Sequence, residues 1–147
     1  MKTQILTILN MYSFFIMIKV NSKQTMNHKQ SIRPAIKNIT ETENQSEEER
    51  FQNEVLRPIL KLQHELLVLF FESHTIKKKV VFTDLSTLQK QALVDDIFKK
   101  DSQYKIELRG LIIGHFTTEE YKTYQKMTVE VNKRIMSMAK ERLLSTI

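Results

Sequence analysis

His115 sits on an apolar stripe two residues before the run Thr117-Thr118-Glu119-Glu120. A histidine at that place can act as a general base, because backbone donors at a helix N-terminus hold an anion. Arg109, about a turn and a half upstream, can pair with a carboxylate. Glu119 and Glu120 join His115 as the residues to which a divalent metal would direct attention. The simpler reading makes His115 a histidine bonded at a helix–helix corner, and the spacing favours it.

Other chemistry is thinner. His64-Glu65 begins the zinc-protease pattern HExxH, but Val68 stands where the second histidine belongs. The remaining histidines are His28 and His74, and only a coincidence of folding would gather His64, Glu65, Glu72 and His74. There is no cysteine, so disulfides, thiolate metal sites and thiol nucleophiles drop out. No GxSxG nucleophile elbow occurs, and the two glycines fit no phosphate-cradling loop. Tyr104-Lys105 and the run from Tyr121 to Lys126 interleave rings and cations, a pattern that can stack on and neutralise single-stranded nucleic acid. Lys77-Lys78-Lys79 is the one compact basic run. The net charge of +6 is modest and mixed with acids, as on an ordinary solvated surface. Core packing accounts equally for the tyrosines and for Met127, Met136 and Met138.

The elements that position these residues are helical. Both glycines fall in Arg109–Phe116, only two prolines occur, and apolar residues recur at helical spacing around that run. Residues 46–147 read as a single all-α domain, a compact bundle of four main helices. Ser46 with Glu49, Ser86 with Gln89, and Thr117 with Glu120 are capping boxes, and Asp101 caps the third helix. The first helix carries one stripe through Phe51, Val55, Ile59, Leu62, Leu66 and Leu69 and a second through Leu56, Leu60, Leu67 and Phe71; a helix apolar on two faces is a central one. Pro58 kinks it or starts a new segment after Arg57. The second helix shows Leu85, Leu88, Ala92, Leu93, Ile97 and Phe98. The third shows Tyr104, Leu108, Leu111, Ile112 and His115. Gly110 and Gly114 form a small-xxx-small pair, and Gly114 alone suits a left-handed residue after a helix end. The last helix runs from Thr117 to the C-terminus, with Phe116 stapled to Tyr121. Its seam of Tyr121, Tyr124, Val131, Ile135 and Met138 is expected to overhang the bundle and bind a partner, most simply a second copy.

Residues 1–25 hold an apolar stretch from Ile5 to Ile18, short of the ~20 residues a membrane-spanning helix needs. They read as a false upstream start before Met26, as a signal-like segment, or as an anchor. A start at Met26 implies a cytoplasmic chain; a working signal in residues 1–22 implies export or membrane association. Residues 26–45 form a polar arm, expected to be disordered, whose patch Ile32, Pro34, Ala35, Ile36 and Ile39 can dock on the domain.

Two blocks, Phe51–Gln63 and Leu108–Thr117, with Ile32-Arg33-Pro34 ahead of them, resemble a bacterial family of short proteins commonly labelled glyoxalase. The likeness runs from about Met26 to the end. That label implies a metal-dependent lyase or dioxygenase holding a divalent ion through His and Glu. Such enzymes are built from βαβββ modules, whereas this chain has helical periods in their place and no position matching a family ligand. The expectation drawn from the residues is therefore a non-enzymatic self-associating or partner-binding module with no cofactor. A metal-dependent glyoxalase-type enzyme and a weak nucleic-acid binder stand as alternatives.

Overall fold

The structure, a computed structural model, describes residues 28–36 and 45–147. The signal-like segment 1–25 and most of the arm, with Ile39, lie outside the described residues. The chain divides after Ile32. Of the first unit, residues 28–31 form one helical turn in which the Ser31 hydroxyl donates to the His28 carbonyl at 3.0 Å.

From Arg33 onward the chain is all-α, with no strand among the described residues. Four helical stretches carry it, two of them interrupted. The first comprises α1 (Glu47–Phe51), a π-turn (Gln52–Leu56), α2 (Arg57–Leu62) and α3 (His64–Lys77). Then come α4 (Thr87–Lys100), α5 (Ser102–Ile113), α6 (Thr118–Lys126) and α7 (Thr128–Leu144).

Every expected N-cap is in place. The Ser46 hydroxyl accepts from the Glu49 amide at 3.1 Å. Ser86 with Gln89 and Thr117 with Glu120 close complete capping boxes, and the Asp101 carboxylate accepts from the Tyr104 amide at 3.0 Å. Each satisfies a donor that the first turn of a helix leaves without an intrahelical partner.

Pro58 lies in the first turn of α2, so a new segment does start at Arg57. A proline ring presses on the carbonyl four residues back and offers no amide. The π-turn just before it, closed by the Arg57 amide on the Gln52 carbonyl, widens the backbone where the misfit would fall. A second interruption at Gln63 (φ −94°, ψ 14°) resets the helical phase. Leu67, Phe71 and Thr75 therefore continue the buried row, and Leu66 and Leu69, expected to belong to it, turn outward.

The final stretch is interrupted at Met127 (φ −136°, ψ 40°). Thr128 explains why: its hydroxyl donates to the Tyr124 carbonyl at 3.2 Å and the Gln125 carbonyl at 3.3 Å, a back-bonding that competes with the helix ladder. Beyond it α7 is the longest helix, and it packs on α3, α4, α5 and the π-turn. The central element is thus α7, not the first helix with its two apolar stripes. Its buried row is Met127, Val131, Ile135, Ala139 and Leu143. On α4 the buried residues are Val94 and Ile97, while Leu88 and Ala92 face solvent. On α5, Tyr104, Leu108 and Ile112 are buried as expected.

The glycines behave differently from expectation. Gly114 is right-handed (φ −57°), and a Cβ placed on Gly110 would meet nothing within 4 Å. No left-handed cap is made there, and the backbone that a Cβ on Gly114 would crowd is that of its own preceding turn, the Gly110 and Leu111 carbonyls at 3.2 and 3.6 Å, not another helix. The left-handed position falls instead on Lys79 (φ 62°) at the end of α3. The Val80 amide reaches the Thr75 carbonyl at 3.0 Å and the Lys79 amide the Ile76 carbonyl at 2.8 Å, the paired bonds of a Schellman motif. The three-lysine run is accordingly a helix end, followed by a 3-10 turn at Phe82–Asp84.

Because a side chain at positive φ is strained and glycine is not, Lys79→Gly should raise stability by about 0.5–1 kcal/mol, net of the greater freedom of glycine in the unfolded chain. An unchanged or lowered urea midpoint at constant slope would contradict this account of the α3 terminus.

Candidate functional site

Of the residues first suspected of chemistry, Glu120 and the His115 carbonyl meet at the α5–α6 corner, whereas Arg109 and Glu119 do not join them. Arg33 reaches into this corner with its side chain only 6% exposed. Its Nη1 donates to Glu120 Oε1 at 2.6 Å, and its Nη2 donates to Glu120 Oε2 at 2.8 Å and to the His115 carbonyl at 2.7 Å. Glu120 Oε2 also accepts from the Thr117 amide at 2.7 Å. Both oxygens of the proposed acid are therefore engaged in a capping box and a bidentate ion pair. Glu119 points away and pairs with Lys122 on the surface. The Arg109 side chain has no hydrogen bond or ion pair among the described residues, and Glu119 is spent on Lys122. His115 enters this corner through its main-chain carbonyl. Phe116 packs edge-on against Phe51 and Tyr124, one turn beyond the expected staple at Tyr121.

The histidines and acids named as a chance metal cluster stay apart. Among the described residues no three His, Asp or Glu side chains lie in metal-holding proximity. His74 Nε2 lies 2.9 Å from Asp101 Oδ2, and Lys78 Nζ lies 2.8 Å from the same oxygen. Lys78 and the Tyr104 amide, assisted by His74, hold the Asp101 carboxyl well below the usual carboxylate range, against a smaller opposing effect of burial. Lys78 is thereby committed to α5, so the lysine run is not three free cations. Tyr104 beside it is fully buried among Phe70, Phe71, Phe98 and His74, and burial pushes its phenol up.

The seam assigned to a partner is mostly interior. Tyr124, Val131 and Ile135 are buried within the chain's own core, because α7 is surrounded rather than overhanging. An acid at Val131 or Ile135 would bury an unpaired charge and cost the fold itself. Tyr121 remains exposed, and Met138 is half-buried.

Met138 leads to the feature that sequence reasoning missed. A cleft of ≈ 530 Å³ opens between the π-turn, α2 and α7. Arg57, Arg134 and Arg142 line it, with Gln52, Glu141 and Ser145. Ile36, Leu60 and Met138 supply its apolar part. Among the described residues none of the three guanidiniums has a hydrogen bond or ion pair. Five other cations are paired with acids, Arg33 with Glu120, Lys78 with Asp101, Lys100 with Asp96, Lys122 with Glu119 and Lys140 with Asp95; what sets the three arginines apart is that they share one concavity. Three planar donor forks around one concavity, with a few apolar contacts, suit an anionic ligand. The signal in the sequence was the row Arg134, Met138, Arg142 at four-residue spacing beside the buried row of α7.

Comparison with protein-family models, with curated proteins and with solved structures finds no match. Among the described residues no helix is long and apolar enough to cross a membrane.

Two measurements check these assignments. Arg33→Ala should destabilise the chain by about 3 kcal/mol in urea unfolding, because it leaves Glu120 buried without its partner; a loss no larger than that of an exposed arginine would contradict the clamp. Asp101→Asn keeps the N-cap but removes the charge. A lowered carboxylate pKa gives stability that is present above about pH 4 and lost as pH falls toward 2. The variant should be roughly 0.5–1 kcal/mol less stable than wild type at pH 7, allowing for the half-exposed Lys78, and the two should converge near pH 2. Parallel pH profiles would remove Asp101 from that role.

Proposed function

We propose that this chain is a non-enzymatic binding module that holds an anionic partner in the arginine-lined cleft. One observation carries the reading: Arg57, Arg134 and Arg142 line a single concavity, and no described acid neutralises any of them. Gathering three like charges is unfavourable in itself, and a ligand that supplies the opposite charge turns that repulsion into binding free energy. The cleft wall supports binding over catalysis. Ser145 donates its hydroxyl to the Arg142 carbonyl at 2.7 Å within its own helix, and Glu141 is the single carboxylate of the lining. The half-buried Met138 and buried Leu60 favour a partner with an apolar portion beside its charge.

The experiment is thermal unfolding at low salt with phosphate, pyrophosphate and citrate, on wild type and on Arg134→Ala/Arg142→Ala. At about ten times its Kd a ligand adds roughly 1.4 kcal/mol, a rise of a few degrees in Tm. The rise should grow with ligand charge, and the double variant should lose most of it. Equal rises in both proteins, or none in either, would reject the cleft as the binding site.

A further inference from the structure

The spacing of the cleft residues narrows the partner. Arg134, Met138 and Arg142 follow one another at four-residue intervals along α7, and all three line the cleft. Arg134 and Arg142 are separated by eight residues, about 12 Å of helix rise. A single small anion engages both guanidiniums only if two long side chains converge on it. An extended peptide meets them without convergence. Its residues advance about 3.3 Å each and alternate sides, so positions one and five point the same way about 13 Å apart, and position three lies between them. That sets acid against Arg134, an apolar side chain against Met138, and acid against Arg142.

The opposite wall fits the same occupant. Gln52 can bond the backbone of an extended chain, and Arg57 adds a third cation. Glu141 disfavours a run of adjacent acids and so favours spaced ones. Among the described residues no aromatic side chain lines the cleft to stack on a nucleobase.

Resting on the anion-binding reading above, we infer that the cleft takes an extended peptide segment of the pattern acid–x–apolar–x–acid, supplied by another protein, with its acids on Arg134 and Arg142 and its apolar residue on Met138.

Fluorescence anisotropy on the full chain tests this with three labelled probes. One is a Gly/Ser-flanked peptide Glu-Ser-Leu-Ser-Glu, the second has the same composition with its two acids adjacent, and the third is an oligo(dT) of matched charge. The patterned peptide should bind about tenfold more tightly than its permutation, and Arg134→Ala and Arg142→Ala should each weaken it several-fold. Met138→Ser should weaken the patterned peptide and leave phosphate binding unchanged. Equal affinity for both peptides, lost in the double arginine variant, would overturn the pattern and leave the anion cleft standing. Tighter binding of oligo(dT) than of either peptide would overturn the peptide and point to nucleic acid. No binding of any probe, with no stabilisation by small anions, would reject both.

Discussion

The buried row of α7 is the constraint on which the rest depends. Val131, Ile135, Ala139 and Leu143 recur every four residues and are almost wholly enclosed. A helix that buries one row at this spacing fixes where its neighbouring rows go. The row one residue earlier, Arg134, Met138 and Arg142, must run along the flank of the same contact, half in and half out. This is where the cleft opens. Core packing and the candidate site are therefore two adjacent rows of one helix, and the interruption at Met127 sets the phase of both. If Thr128 did not draw its hydroxyl back onto the preceding turn, an unbroken helix from Thr117 would present a different row to α3, α4 and α5.

The second long-range constraint is the clamp at the α5–α6 corner. A corner between two helices gathers orphan carbonyls from the end of one and orphan amides from the start of the next. Arg33 and Glu120 serve both sets: the guanidinium takes the His115 carbonyl and the carboxylate takes the Thr117 amide. The bidentate pair also fixes Glu120 in the geometry its capping box needs. The arm is thus held at Arg33 and in part along the apolar patch expected to dock: Pro34 and Ile36 are half-buried, with Ile36 on the cleft wall, and Ile32 remains exposed.

What the sequence revealed divides along a physical line. Helix starts were legible because a cap is a local event: Ser46, Ser86, Asp101 and Thr117 act on amides two or three residues away. Helix interruptions were not. Gln63 and Met127 are ordinary helix formers; the break at Met127 depends on how the Thr128 hydroxyl is spent, which its residue type alone does not announce. Glycine misled in both directions. Gly114 has the freedom for a left-handed cap and does not use it, while Lys79 lacks that freedom and adopts the conformation because the 3-10 turn must follow α3. Apolar periodicity marked Tyr124, Val131 and Ile135 as a buried face, but periodicity cannot say whether the covering surface belongs to another chain or to the same one. The arginine cleft was hidden for a related reason. Arg57 lies 77 positions before Arg134, and a cation read alone is a solvated surface residue.

A purely structural origin for the three arginines reaches only one of them. Arg142 lies in the last turn of α7, where the partial negative charge of the helix end favours a cation. That effect fades within a turn, so it does not extend to Arg134, two turns upstream, nor to Arg57, which lies inside the continuous first helical stretch with its amide bonded to the Gln52 carbonyl. Surface exposure and salt reduce the mutual repulsion of the group, since charges separated by more than about 8 Å are largely screened at physiological ionic strength. Screening explains why the fold tolerates the group, not what the group is for. Helix-end electrostatics thus accounts for Arg142 alone, and the placing of Arg57 and Arg134 on the same concavity, with Glu141 between Arg134 and Arg142 on the facing helix as its carboxylate, is a property of how the first stretch and α7 pack.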